Sequence, residues 1–207
     1  MRLLALIFGS RIYWLTSRLV TVVLRAKGVQ VGKNFYIQGV PWLKVGGDAK
    51  NIRIGDEVKI MGDIDLRNRE QGTIEIGDNV VIDDRCRLVA ANDAVLSIGA
   101  FTRIGLHTIF NAGASISVGK EVLISGFCYV QSSNHGIRRG VPIQRQSHTY
   151  GTITIENGSW LGSHVTLLPG AHVGAGAVVG AKTVVTKSIP ANSVNMGVPS
   201  KVAGMRP

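Results

Sequence analysis

The stretch that decides the fold is residues 155–185, IENGSWLGSHVTLLPGAHVGAGAVVGAKTVV. An aliphatic residue returns at every sixth position of it, at Ile155, Leu161, Leu167, Val173, Val179 and Val185. A small or β-branched residue stands two places before each of the last five, at Ser159, Val165, Ala171, Ala177 and Thr183. A period of six is neither the 3.6-residue period of a helix nor the alternation of a strand. It is typical of a hexapeptide parallel β-helix, in which each side of a triangular coil takes six residues.

The same period extends toward the N-terminus with interruptions. Earlier coils begin with an aliphatic residue followed by glycine, at Val31, Ile54, Ile76, Ile98 and Val118. After two steps of six, the third step is longer, ten residues from Leu66 to Ile76 and 25 from Val130 to Ile155. All insertions therefore fall at one corner of the triangle, and the loops line one edge because coils stack about 4.8 Å apart. Since loops on a rigid scaffold carry function, we predict an active-site loop at 131–154.

The spacing also predicts the organisation of the whole chain. Residues 1–28 form a basic, apolar helical segment, residues 29–191 the all-β repeat, and residues 192–207 an irregular tail. The tail is expected to cover the edge of the terminal coil, which would otherwise invite pairing. Asn111 and Gln131 each follow the last inward residue of a coil, so we expect them to be stacked neighbours beneath the loop.

The formal net charge of +10 first suggests a nucleic-acid partner. About half of it lies in residues 1–28, which carry five basic residues and no acidic one, and no nucleic-acid motif accompanies the charge. We therefore predict no nucleic-acid binding. Arg11 and Arg18 interrupt the apolar segment before it reaches the length of a membrane span. Two interpretations stay open for this segment, an interfacial helix on an anionic membrane surface and a cap over the first coil or a subunit contact.

The candidate catalytic residue is His135. Histidine suits the general-base role near neutral pH, and His135 lies in a predicted turn early in the loop, whereas His148, late in the loop, is a second possibility. Because residues 122–155 contain no Asp or Glu, no local carboxylate can orient His135. Weak candidates for that role on the loop-bearing side are Asp83, Asp84 and Asp93. The loop arginines Arg138, Arg139 and Arg145 suit an anionic ligand.

Neither cysteines nor histidines indicate a metal site. Cys86 and Cys128 occupy small inward positions of the repeat and are expected to be buried and reduced, which fits a cytoplasmic setting. The histidines lack the spacing of the metal-dependent β-helix carbonic anhydrases. His107, His164 and His172 are expected to be ordinary surface residues.

The chain resembles the hexapeptide-repeat O-acetyltransferases, especially the sugar and polysaccharide acetyltransferases related to galactoside and maltose acetyltransferases. The resemblance is sharpest after residue 130. Its motifs are Asn134-His135, Pro142-Ile143 with Gln146, Trp160-Leu161-Gly162-Ser163, Leu168-Pro169-Gly170, Val179-Gly180-Ala181, Val184-Val185-Thr186-Lys187, Ile189-Pro190, and Gly197-Val198-Pro199 before Lys201-Val202.

The resemblance implies a left-handed parallel β-helix, acetyl-coenzyme A as donor, and a homotrimer with active sites between neighbouring prisms. By position, His135 matches the general base of the family and Asn111 a residue near the acceptor. Residues that match the donor site are Trp160, Ser163, Ala181, Thr186, Lys187 and Lys201, the last of which replaces an arginine. Arg138 is our further candidate for the acceptor.

These observations predict an acetyltransferase that acts on a sugar hydroxyl without a metal, in cell-surface polysaccharide or lipopolysaccharide synthesis. A cytoplasmic enzyme, held at the inner membrane face by residues 1–28, would meet such acceptors. N-acetylation of an amino sugar or antibiotic is the alternative reaction, and a non-catalytic β-helix scaffold is the alternative of another class.

Overall fold

The computed structural model describes Gly9 and residues 11–207. It is a parallel β-helix with one α-helix, α1 (Arg11–Ala26), at its N-terminal end. Two short 3₁₀ helices, Ala49–Asn51 and Ile143–Arg145, lie in connections. Within the described residues, no helix is both long enough and apolar enough to span a membrane. The part of the expected N-terminal segment at residues 1–8 and 10 lies outside the described residues.

The three sides of the prism are three parallel sheets, named here faces A, B and C. Face A consists, in spatial order, of β1 (Gln30–Val31), β4 (Ile52–Ile54), β7 (Thr73–Ile76), β10 (Val95–Ile98), β13 (Ile116–Val118), β18 (Ile153–Ile155), β21 (His172–Val173) and β24 (Ser188–Ile189). Face B consists of β2 (Tyr36–Ile37), β5 (Lys59–Ile60), β8 (Val81–Ile82), β11 (Arg103–Ile104), β14 (Leu123–Ile124), β19 (Trp160–Leu161), β22 (Val178–Val179), β25 (Ser193–Met196) and β26 (Lys201–Met205). Face C consists of β3 (Pro41–Gly47), β6 (Ile64–Glu70), β9 (Cys86–Ala90), β12 (Ile109–Ala112), β15 (Tyr129–Gln131), β20 (Thr166–Leu167) and β23 (Val184–Val185). Seven successive coils of the described chain thus contribute a strand to every face.

The interior is filled by the residues that the six-residue period selects. Ile155, Leu161, Leu167, Val173, Val179 and Val185 are all fully buried, and so are the smaller residues two places before them. Phe110 is the largest fully buried side chain, and Cys86 and Cys128 are buried and unpaired, as predicted. The predicted β-helix is therefore confirmed.

The insertions lie at the corner between faces C and A, as the step lengths predict. The longest one leaves the coil after β15 and forms a two-stranded antiparallel ribbon, β16 (Ser133–His135) and β17 (His148–Tyr150), before β18 begins. One insertion differs from expectation. The ten-residue step after Leu66 begins as extended strand, because β6 continues to Glu70 and pairs with β3 over seven residues.

The first coil is covered by α1. Ser17 is buried, and its hydroxyl accepts a hydrogen bond from the backbone N–H of Ile37 at 2.8 Å. Arg25 donates from Nη2 to the carbonyl of Val31 at 2.6 Å, and Leu24 packs into the core. These side chains satisfy backbone groups on the open edge of the coil. The capping interpretation of the N-terminal segment therefore holds for residues 11–26.

The C-terminal segment is more regular than the sequence analysis expects. β25 continues face B in parallel with β22, and β26 then pairs with β25 antiparallel. The repeat thus extends beyond Val185, and the segment 192–207, expected to be irregular, contains two strands. Polar residues fill the inward positions here, since Ser193 and Asn195 are both buried and the Asn195 amide donates to the Ser193 hydroxyl at 2.7 Å.

Candidate active site

The ribbon of β16 and β17 carries the candidate catalytic residue. His135 pairs with His148 across the two strands, and the centroids of their rings are 4.2 Å apart with planes inclined by 41°. Both side chains are exposed. The ring of Tyr150 lies 6.2 Å from that of His148, so the three side chains form one aromatic row on the ribbon. The sequence names His135 and His148 separately, and the antiparallel register brings them together.

The base of the ribbon is fixed to the coil by polar contacts. Ser132 is fully buried, and its hydroxyl accepts from the N–H of Ala114 at 3.0 Å and donates to the Ala114 carbonyl at 2.7 Å. The Gln131 amide donates to the carbonyl of Ser133 at 2.6 Å. The orientation of the ribbon is thus determined where it leaves face C.

The tip of the loop is organised by Gln146, which is 7% exposed. Its Oε1 accepts from the N–H of Arg138 at 2.7 Å, and its Nε2 donates to the carbonyls of Arg138 and Val141 at 3.0 and 2.9 Å. One side chain therefore closes a turn of nine residues. The turn holds Arg138 and Arg139 at the surface beside a groove of about 420 Å³ lined by Ile137, Arg138, Gln146 and His148.

Asn111 and Gln131 are stacked neighbours in β12 and β15, as predicted. Both are half-buried and point outward from face C directly below the ribbon. Asn111 therefore lies one coil below the strand from which the His135 ribbon departs. An amide pair of this kind offers donors and acceptors to a hydroxyl-rich ligand.

The residues predicted to contact the donor occupy the coils beyond the ribbon, at several places. Ser163 and Ala181 lie in successive turns between faces B and C, where Ala181 stacks on Gly162, whose position has no room for a Cβ. Thr186 and Lys187 are exposed at the opposite corner, between β23 and β24. One face thus separates the two pairs, by roughly 15–20 Å at six residues a side.

The other two predicted donor residues lie on or beside face B. Trp160 is 46% exposed on β19, and its Nε1 donates to the hydroxyl of Ser125 at 3.2 Å. Lys201 begins β26 and pairs with Met196. The six predicted donor residues therefore do not converge at one point of a single protomer.

The aspartates proposed to orient His135 divide between two corners. Asp93 lies on the loop-bearing side, in the turn between β9 and β10. Asp83 and Asp84 follow β8 and precede β9, which places them at the corner between faces B and C. Their expected place on the loop-bearing side is wrong, because the longer step begins only after β9.

The remaining histidines are held by their own neighbours. His107 and His164 stack on either side of Phe127 at the corner between faces B and C, with ring centroids 5.2 and 4.9 Å apart. His172 lies on face A, and its Nε2 is 3.0 Å from Glu156 Oε1. Among the described residues, no group of three potential ligands from His, Cys, Asp and Glu is close enough to hold a metal ion.

Comparison with known proteins decides the family. A family profile described as bacterial transferase hexapeptide (six repeats) matches residues 152–187. The chain is 30% identical over 142 residues to WbbJ of Escherichia coli (strain K12), whose name gives it as a lipopolysaccharide biosynthesis O-acetyl transferase, over 65% of this chain and 72% of WbbJ. This chain belongs to the hexapeptide-repeat transferases. Another relative of the family, the galactoside O-acetyltransferase of the same organism, is 35% identical over 88 residues, 42% of this chain and 43% of that enzyme. The predicted assignment to the acetyltransferases of this family is confirmed.

Solved structures of hexapeptide-repeat transferases share the fold. AntD, an N-acyltransferase from Bacillus cereus in complex with dTDP-4-amino-4,6-dideoxyglucose and coenzyme A, has a TM-score of 0.63 at 21% identity, covering 90% of this chain and 89% of AntD. The polySia specific acetyltransferase NeuO has a TM-score of 0.56 at 19% identity, covering 86% and 78%. At these identities the likeness establishes the architecture alone.

Proposed function

We propose that this protein transfers an acetyl group from acetyl-coenzyme A to a hydroxyl of a saccharide, with His135 as the general base. The observation that carries the proposal is the position of the His135 ribbon on face C. It leaves the coil between the amide pair of Asn111 and Gln131 on one side and the coils of Ser163 and Ala181 on the other. An acceptor on the first side and a thioester on the second would both be within reach of the ribbon.

In the proposed reaction, His135 accepts the proton of the sugar hydroxyl while its oxygen attacks the thioester carbonyl carbon. Backbone amides of the groove stabilise the oxyanion that forms. The carbon–sulfur bond then breaks, the acetyl group stays on the sugar oxygen, and the proton held by His135 neutralises the departing thiolate. His148 contacts the His135 ring and is proposed as the positioning residue, because residues 122–155 contain no carboxylate.

The donor is proposed to lie over the upper coils of face C. Ser163 and Ala181 would contact the pantetheine arm at one corner, with Trp160 beside them, and Thr186 and Lys187 would hold the nucleotide end at the other. Lys201 is proposed near a phosphate. Coenzyme A is the ligand named for AntD, a structural neighbour, and Lys187 and Lys201 are exposed cations that suit its phosphates.

We further propose that the active enzyme is a homotrimer whose sites lie between protomers. The wide separation of the predicted donor residues supports this, since a neighbouring prism would form the second wall of the cleft. Mixing His135→Ala protomers with Ala181→Trp protomers, which block the donor arm, provides the test. If each site takes His135 from one protomer and Ala181 from the next, random mixing restores roughly a quarter of the activity. No recovery would assign the complete site to one protomer.

The acceptor is proposed to be a cell-surface saccharide, as the names of WbbJ and NeuO give for those proteins. The exposed Arg138 on the loop is our candidate contact for an anionic acceptor. The test is a panel of free, nucleotide-linked and lipid-linked saccharides with acetyl-coenzyme A, read by thiol release and by the mass gain of one acetyl group. Mild base removes the acetyl group of an ester and leaves an amide intact. A base-stable product would establish the alternative, N-acetylation of an amino sugar, which the N-acyltransferase AntD illustrates. Failure to bind coenzyme A in calorimetry would favour the non-catalytic scaffold.

The outer face of α1 supports the proposed peripheral contact with an anionic membrane. Opposite the buried Ser17 and Leu24, the helix exposes Leu15, Leu19 and Val22, which are 65%, 66% and 64% accessible. Helical spacing places Arg11, Arg18 and Arg25 along one side of this apolar stripe. An amphipathic helix with basic flanks is suited to the surface of an anionic bilayer. Contact there would place the enzyme at the inner face of the membrane in the cytoplasm.

A further inference from the structure

Face C has an ordered outer surface below the ribbon. Because side chains alternate along a strand, each strand of face C presents two outward positions, and the parallel register stacks them into two columns. The column nearer face B runs through Trp42, Asp65, Arg87, Ile109 and Tyr129. The column nearer the ribbon runs through Lys44, Arg67, Val89, Asn111 and Gln131. The amide pair of the proposed acceptor site is thus the upper part of a longer, continuous surface.

A groove of about 340 Å³ lies along the lower part of this surface. Trp42, Asp65, Arg87 and Ile109 line one side of it, and Asp63, Arg85 and His107 line the other. The volume is within the range of sites that hold small ligands, about 300–1,000 Å³. Trp42 is 59% exposed although it belongs to a paired strand, so its ring is available to a ligand.

Three charged side chains give the groove a fixed polar wall. Arg67 donates to both oxygens of Asp65, from Nε at 2.8 Å and from Nη2 at 2.5 Å, and Arg87 donates from Nε at 3.0 Å. Burial acts to raise the pKa of Asp65, but the bonds and charges of Arg67 and Arg87 outweigh it, so that its pKa lies below the usual value. The carboxylate is therefore ionised and positioned at neutral pH. The Arg87 side chain remains 45% exposed toward the groove.

We propose that face C below the ribbon is an extended subsite for the saccharide chain of the acceptor, with Trp42 as its stacking platform and Arg87 as its polar contact. The combination of one exposed aromatic ring with fixed donors and acceptors is suited to sugar rings, which are apolar on their faces and hydroxylated at their edges. Four coil steps separate Trp42 from the level of Gln131, about 19 Å. A chain of several sugar residues would occupy this span, so the site is suited to an oligosaccharide rather than to a free monosaccharide. This inference rests on the proposed saccharide acceptor.

The site predicts that affinity grows with acceptor length. Binding is measured by calorimetry on the full chain with malto-oligosaccharides and sialic acid oligomers of two and six units, which provide a neutral and an anionic series. We expect one hexamer to bind at least tenfold more tightly than its dimer. Trp42→Ala and Arg87→Ala should remove most of that gain and leave dimer and coenzyme A binding unchanged. Arg103→Ala, which removes an exposed arginine from face B, is the matched control and should leave both affinities unchanged.

Several results would overturn the proposal. They are equal affinities of hexamer and dimer in both series, an unchanged length gain in Trp42→Ala, or the same loss in Arg103→Ala. A change in sedimentation of Trp42→Ala would assign the residue to a contact between copies of the chain, which also contradicts the proposal. His135→Ala separates this site from the proposed reaction, because it should abolish acetyl transfer while hexamer binding persists. If transfer fails in the wild type and length-dependent binding remains, the proposed function is wrong and the subsite stands.

Discussion

His135 and His148 face each other across the antiparallel ribbon with their ring centroids 4.2 Å apart. Thirteen positions separate them in sequence, and nothing in the six-residue period relates them. The contact follows from the backbone register, in which the two residues are opposite one another. Because side chains directly opposite on an antiparallel pair are close, a change at either histidine should affect the other.

His135→Ala should lower kcat by roughly two to four decades and leave the affinity for coenzyme A unchanged, because the lost imidazole acts only on the proton of the acceptor. His148→Ala should lower kcat by roughly tenfold and alter the pH profile, since His135 would remain but lose its neighbour. Steady-state kinetics and calorimetry measure both effects. His172→Gln on face A is the control. Near-normal turnover of His135→Ala would rule out its assignment as the base.

Gln146→Glu should reduce acetyl transfer by roughly tenfold. A carboxylate keeps the size of the side chain but cannot donate to the carbonyls of Arg138 and Val141, so the turn loses two of its three hydrogen bonds. The free energy of unfolding should change by less than about 1.5 kcal/mol, because the turn lies outside the coil. Kinetics and urea unfolding are the measurements, with the exposed Gln144→Glu as the control of equal charge. A large loss of stability without loss of turnover would contradict the assigned role.

The α1 stripe can be tested with vesicles. Full-length protein should sediment with phosphatidylglycerol-containing vesicles and not with phosphatidylcholine alone, and added salt should weaken the association. Leu15→Glu combined with Leu19→Glu should abolish the association, because both side chains point away from the coil. Leu123→Glu on face B is the matched control. Equal sedimentation of all three proteins would remove the membrane from the proposal.

The buried thiols predict a loss of stability at alkaline pH. Burial raises the pKa of Cys86 to about 12 and that of Cys128 to about 11, whereas an unfolded thiol titrates near pH 8.5. A raised pKa in the folded state means that the stabilising contribution is complete below about pH 8.5 and is lost as the pH rises toward 11–12. The loss amounts to about 1.4 kcal/mol per pH unit for each thiol. Urea unfolding between pH 8 and 11 measures it, and Cys86→Ala with Cys128→Ala should show a shallower decline. Parallel curves would contradict the prediction.

Sequence was a good guide wherever the coil interior dictates the residue. Leu161 and Val165 could be placed because a narrow interior accepts only certain sizes at each step. Ser193 and Asn195 were missed because they fill inward positions with hydrogen-bonded polar groups, which the aliphatic period does not detect. At the site, Asn111 and Gln131 followed from stacking alone. The roles of His148 and Gln146 depend on a loop that folds by its own strand pairing and turn, which a repeat cannot predict.

The closed ends of the β-helix limit how it can vary. Ser17 and Arg25 of α1 satisfy one end, and β26 pairs with the last strand of face B at the other. In solenoid proteins, specialised terminal units protect the stack from open-ended growth. Gain or loss of whole coils must therefore occur between these two ends. Each coil inserted below the ribbon would lengthen face C by about 4.8 Å, so relatives with different coil numbers would differ in the length of saccharide that they can contact while keeping the same catalytic ribbon.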